Sequence, residues 1–147
     1  MRVKPEQVRD VCALAKSDPR LSFDFLRCLS VVDYPDRFEA VYHLASHSKG
    51  HKLVLKAGAP KDRPVFPSLT PLWRGANWYE REGAELFGVT FEGHPDPRHL
   101  LLFDEFDGQY PGRKDYPFAE IYKPPETLPR GHVPTEQEEK EAEGHAG

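Results

Sequence analysis

Proline sets the limits on where this chain can fold on itself. Fifteen of its 147 residues are proline, about twice the usual ~5%. Each one fixes its own φ and removes a backbone N–H donor, so a proline disrupts a helix interior or a central strand. They gather in the loop that ends at Pro67, around Pro95 and Pro97, and in the C-terminal part. From Gly93 onward the chain is therefore expected to be mostly turns and extended segments.

Regular structure is expected upstream. Val8, Val11, Cys12 and Ala15 form one apolar stripe at helical spacing, which predicts a helix from Pro5 to Lys16. Pro5 suits the first turn, and Ser17-Asp18-Pro19 ends it. Phe25 and Leu29 predict a further helical turn. Strands are expected from Leu29 to Tyr34, Phe38 to Ala45 and His51 to Ala57, joined by turns at Pro35-Asp36-Arg37 and at Ser46 to Gly50. Gly58 to Pro67 reads as a loop. Ser68 is placed to cap a short helix ending at Trp73, and Ala76 to Phe87 reads as the second long helix. Gly88 fits the left-handed position just past that helix, and Val89 to Phe91 reads as a short strand.

The expected class is α+β: an antiparallel sheet with helices packed on it, followed by an extended, proline-rich C-terminal segment. We divide the chain into a body (1–92), an extended docking segment (93–133) and an acidic tail (134–147) whose composition predicts disorder. Residues 118–147 carry seven Glu against three Lys or Arg, a net of −4 that equals the charge of the whole chain.

These bulk properties exclude several roles. The charge of −4 leaves no excess of cations to displace counterions from nucleic acid. No apolar run approaches the ~18 residues of a spanning helix, and no secretory signal is expected at the N-terminus. Cys12 and Cys28 are too few to ligate an iron–sulfur cluster; they read as two reduced, buried thiols.

The densest pattern lies between Glu80 and Pro117: Glu80-Arg81-Glu82-Gly83-Ala84-Glu85-Leu86-Phe87-Gly88, then Gly93-His94-Pro95, then Arg98, then Arg113-Lys114-Asp115-Tyr116-Pro117. On the second helix, Ala76, Tyr79, Gly83, Leu86 and Phe87 share the face expected to bury against the sheet. Gly83 in its middle costs about 1 kcal/mol of helix propensity relative to Ala, tolerable where another element must approach closely. The opposite face holds Trp78, Arg81 and Glu85. Trp and Arg are enriched at binding hot spots; the plainer alternative is an exposed Arg81–Glu85 pair at i, i+4. Arg113, Lys114 and Asp115 fit either a docking cluster or a solvated charge run.

Chemistry is harder to find. Glu80, Glu82 and Glu85 stand beside Arg81, which favours their ionised forms over the raised pKa that acid–base catalysis needs. His43, His47 and His51 are spaced by four, but a strand and a turn are expected to scatter them, so we expect no metal site. No phosphate loop, dinucleotide fingerprint or nucleophile elbow is present.

The ordered run Glu80-Arg81-Glu82, Glu85-Leu86-Phe87, His94, Arg98, Leu100-Leu101 resembles the signature of the C-type, 30-kilodalton subunit family of the proton-pumping NADH:quinone oxidoreductase, respiratory complex I. Arg113 to Pro117 is similar to that family's closing motif, and Val32-Asp33-Tyr34, Phe38 to Tyr42, Leu72-Trp73 and Ala76 to Trp78 follow it upstream. The resemblance covers residues 3 to 117. It implies a peripheral subunit on the cytoplasmic side of the cell membrane with no catalytic, cofactor or metal residues of its own. NADH, quinone and iron–sulfur clusters belong to the whole complex. The implied partners are the large, D-type quinone-site subunit and neighbouring iron–sulfur subunits. The implied interface comprises Trp78, Glu80, Arg81, Glu82, Glu85, Gly93, His94, Pro95, Arg98, Arg113, Lys114, Asp115, Tyr116 and Pro117. Family members usually begin with a strand before the first helix, which is expected to be missing here. The alternatives are the equivalent subunit of a hydrogenase-type, ferredoxin-linked or deazaflavin-linked membrane complex, a free-standing adaptor, and a metal-dependent hydrolase using the three histidines.

Overall fold

The computed structural model describes residues 1–103 and 106–118. The tail expected at 134–147, and the docking segment from 119 to 133, lie outside the described residues. Met1–Tyr116 forms one compact unit, and Pro117 opens a second.

Three long strands carry the first unit. β2 (Phe25–Asp33), β3 (Arg37–Ala45) and β4 (Lys52–Pro60) form the expected antiparallel meander. Its first turn closes where Tyr34 N–H donates to Arg37 O, and its second where Gly50, at φ +70°, donates to Ser46 O. The short helical turn expected at Phe25 and Leu29 is instead the start of β2. Leu26 and Leu29 are both buried there, because a bulge between Leu26 and Cys28 resets the alternation. The expectation of a missing first strand is also corrected. β1 (Arg2–Val3) pairs in parallel with Lys56 and Ala57 on β4, so the sheet is mixed, in the order β1-β4-β3-β2.

One face of this sheet is covered. After a short 3₁₀ turn at Pro5–Gln7, α1 (Val8–Ser17) buries Val8, Cys12 and Ala15 from the predicted stripe. α2 (Ala76–Phe87) packs on β2. Phe38, Tyr42, Leu44 and Leu55 fill the space between sheet and helices. Cys12 is fully buried, and burial pushes its thiol up to about 12. Cys28 is only half-buried, because it lies on the opposite face of β2. The expected loop after Gly58 contains a strand that no periodicity announced: β5 (Val65–Pro67) pairs in parallel with β6 (Thr90–Glu92), and α2 is the crossover between them. The short helix expected from Ser68 to Trp73 is a pair of turns, with the Ser68 hydroxyl accepting from Thr70 N–H.

Two glycines fix where α2 sits and stops. A Cβ on Gly83 would lie 2.8 Å from the Val31 side chain and 3.3 Å from Phe91, so only glycine lets the helix reach the sheet this closely. Gly88 ends the helix at φ +69°, donating to Ala84 O. A Cβ there would also meet Tyr110 at 2.7 Å and Arg113 at 2.5 Å. Gly50 has nearly the same φ but nothing within 4 Å, which separates backbone strain from crowding. Gly88→Ala should therefore cost about 1 kcal/mol more than Gly50→Ala in urea titrations of the two variants.

Candidate functional site

The signature residues of α2 turn toward the chain's own backbone. Arg81 and Glu85, one turn apart, face the strap that follows β6. Arg81 donates through Nε to Arg98 O (2.7 Å) and through Nη2 to His99 O (2.5 Å). Glu85 accepts from the next three amides: Leu100 (2.8 Å), Leu101 (2.9 Å) and Leu102 (3.3 Å). The guanidinium takes carbonyls and the carboxylate takes N–H groups, so a stretch with no ladder of its own has its polar backbone satisfied. Glu85 is 5% exposed and the Arg81 side chain 12%. The expected outward face of Trp78, Arg81 and Glu85 is thus divided: Trp78 alone is fully outward, at 68% exposure. An Arg81–Glu85 surface pair does not form; the strap offers both side chains better partners.

Glu80 points into the core. It is fully buried, and its Oε1 accepts from Leu69 N–H at 2.6 Å. Its other oxygen has no hydrogen-bond donor; His94 Nε2 stands 3.9 Å away. That nitrogen donates to Asn77 O (3.2 Å), while His94 Nδ1 accepts from Asp96 N–H (3.0 Å), so the ring carries its proton on Nε2. Burial raises the Glu80 carboxyl from 4.5 to about 7; the Ser68 hydroxyl, the Leu69 amide and the Arg9 charge pull the other way without overcoming it. The expectation that Arg81 keeps all three signature acids readily ionised fails at Glu80, because the Arg81 guanidinium points away to the strap.

The closing motif is held in the same manner. Arg113 donates to Phe87 O (2.7 Å) at the C-terminus of α2, and its guanidinium lies over Tyr110 and Phe38. Gly112 N–H donates to Leu86 O. Lys114 N–H donates to Asp33, whose other oxygen is 2.7 Å from Lys61 Nζ. Burial would raise the Asp33 carboxyl, but the hydrogen bonds from Lys61 and Lys114 outweigh it and hold it below the usual carboxylate range. Tyr116 donates to Gln109. Asp33 entered the sequence pattern only as one of a run of matched residues; its role appears once β2 and the strap are seen together, 81 residues apart in sequence.

Gly93, at φ +80°, and Pro95 are exposed at the turn, Glu82 is half-buried, and Arg98 forms a bidentate pair with Asp96 at the surface. Lys114, Asp115 and Pro117 are exposed. The three spaced histidines part company. His43 lies on β3, His47 bonds Asp24, and His51 Nε2 donates to Leu21 O. Among the described residues, no group of three or more His, Cys, Asp or Glu is placed to hold a metal ion, and no helix is long and apolar enough to cross a membrane.

The chain is a mixed α+β body whose signature charges hold its own strap, and comparison with known proteins gives the lineage. Residues 1–122 match the family described as the 30 Kd subunit of the respiratory-chain NADH dehydrogenase, and the chain belongs to it. It is 43% identical over 122 residues to the C-type subunit of NADH-quinone oxidoreductase from Roseiflexus castenholzii, covering 81% of this chain and 70% of the relative. It is 44% identical over 116 residues to the C-type subunit of the F(420)H(2) dehydrogenase from Methanosarcina mazei, covering 78% and 72%. Among solved structures, a chain of the membrane-bound sulfane sulfur reductase, an archaeal respiratory membrane complex, superposes with a TM-score of 0.75 at 28% identity, covering 87% of this chain and 79% of that one.

Two outcomes test the geometry. A Glu80 carboxyl raised from 4.5 to about 7 binds a proton in the folded state that the unfolded chain has released. Its contribution therefore lowers stability as pH rises through that window, by on the order of 3 kcal/mol in full. Glu80→Gln should flatten the pH 5 to pH 8 dependence of the melting temperature and be the more stable form at pH 8. Glu85→Ala should leave the Leu100–Leu102 amides without an acceptor and free the strap. Limited trypsin digestion should then cut after Arg98 about tenfold faster, the effect of lowering a local opening energy by ~1.4 kcal/mol.

Proposed function

We propose that this chain is a non-catalytic bracket in the peripheral arm of a proton-translocating quinone oxidoreductase of the complex I type. In this reading it sits on the cytoplasmic side of the cell membrane. It braces the large quinone-site subunit and the neighbouring iron–sulfur subunits while electrons pass to quinone. It binds no cofactor itself; NADH, quinone and clusters are held by its neighbours. One observation carries the reading: Arg81 and Glu85 are committed to the backbone of the strap, which leaves Trp78, Leu101 and Phe103 exposed as large apolar side chains. A pre-ordered strap pays less entropy on docking than a loose one, and an exposed Trp with flanking apolar groups fits a hot spot in a partner's pocket.

A second reading changes only the electron donor. The Methanosarcina relative, named as part of an F(420)H(2) dehydrogenase, is as similar to this chain as the Roseiflexus one. A bracket of this kind serves either donor, because the donor is bound elsewhere.

Pull-down of the large subunit from detergent-solubilised membranes tests the bracket. Trp78→Ala combined with Phe103→Ala should lower recovery about tenfold or more, the loss of a single good hot spot, while the melting temperature of the purified chain stays nearly unchanged. Undiminished recovery would remove both residues from the interface and the reading with them.

A further inference from the structure

Among the described residues, neither helix covers the second face of the sheet. The register places Phe25, Cys28, Ser30 and Val32 of β2, Val41, His43 and Ala45 of β3, and Val54 and Gly58 of β4 on it. Val54 and Phe25 are exposed at 37% and 46%. Four cations stand around this apolar middle: Arg2, Arg37, Lys52 and Lys56. Arg37 folds flat across the face, its Cδ 3.1 Å from where a Cβ on Gly58 would be. Among these face residues of β2, β3 and β4 the one carboxylate is Glu39, 2% exposed, and it is already shared by Arg2 (3.5 Å), Lys56 (3.5 Å) and Arg37 (3.7 Å). Asp36, in the adjoining turn, takes a second contact from Arg37. A surface with cations in surplus thus sits on a chain whose net charge is −4.

We infer that this sheet face is a second docking surface, separate from the strap, and that its occupant is another protein subunit presenting an apolar centre rimmed by carboxylates. Charge decides between occupants. A second copy of this chain pairing through the same face would set Arg2, Lys52 and Lys56 against themselves, with the buried Glu39 of each copy already facing three cations of its own, and like charges facing each other cost affinity. Carboxylates from a different subunit would complete the pairs that one buried Glu39 cannot. Val54, Phe25 and the half-buried Val32 would lose water on docking, and that burial favours association. The inference rests on the chain being a subunit; it adds a second point of contact, so that the body is gripped on the bare side of its sheet as well as along the strap.

Lysine acetylation with a small water-soluble ester reads both surfaces at once. The native assembly and the full-length chain purified alone are labelled side by side. Lys52 and Lys56 should react at least tenfold more slowly in the assembly. Protection of Lys114 without protection of Lys52 and Lys56 would place partners on the strap alone and overturn the sheet-face inference while leaving the bracket intact. Elution of the native chain as a free monomer would remove both. Protection seen only in a dimer of the chain would replace the heterologous partner with a second copy. The rim chemistry has its own arm. Lys52→Glu should lower occupancy in the assembly about tenfold and Lys52→Arg should leave it unchanged; equal occupancy of the two variants would overturn an acidic partner.

Discussion

Charged side chains satisfying bare backbone hold this protein in shape. A proline-rich strap has N–H and C=O groups but no ladder to pair them, and burying them unpaired costs about as much as losing the hydrogen bonds outright. Arg81 and Glu85 take the polar backbone of residues 98–102. Arg113 does the same for the last turn of α2, Asp33 for Lys114, and Glu80 for Leu69. Arg9 joins α1 to β5 and β6 by donating to Ser68 O and Glu92 O. One device is used throughout: a charged side chain pairs with backbone that has no ladder of its own.

The buried carboxylates show how environment divides one functional group into two behaviours. Asp33 has Lys61 and an amide at hand and stays ionised; Glu80 has the Ser68 hydroxyl, the Leu69 amide and one unpartnered oxygen, and burial still pushes it toward neutrality. A raised carboxyl in a pocket is often read as a catalytic acid. Here the group, on α2, has no exposed surface and ties Leu69, in the turns before the helix, to α2.

A bracket can influence electron transfer without touching an electron, because transfer rates fall steeply with distance and depend on how firmly the neighbours are held. The family spans relatives named for different donors, and their similarity to this chain is nearly the same. The body presents two unlike surfaces: Trp78 and Phe103 stand exposed beside the strap, and cations surround Val54 and Phe25 on the sheet face.

Local chemistry made much of the fold legible. The stripe of Val8, Cys12 and Ala15, the two hairpin turns, the second helix and the left-handed Gly88 all follow from periodicity and turn chemistry that act within a few residues. The close approach at Gly83 was readable as a cost awaiting a reason, and Val31 supplies it. The parallel pairings of β1 and β5 were not legible, since two- and three-residue strands carry no period and exist only because a distant edge accepts them. Phe25 and Leu29 misled because their i, i+4 spacing imitates one helical face, whereas on β2 a bulge puts Leu29 inward with Leu26 and leaves Phe25 exposed. Sequence alone determined the two long helices, the three-stranded meander and the family. Only the tertiary structure decided which way the charged side chains face, because a carboxylate or guanidinium turns toward whichever unpaired backbone is nearest, and that backbone is brought there by residues far along the chain.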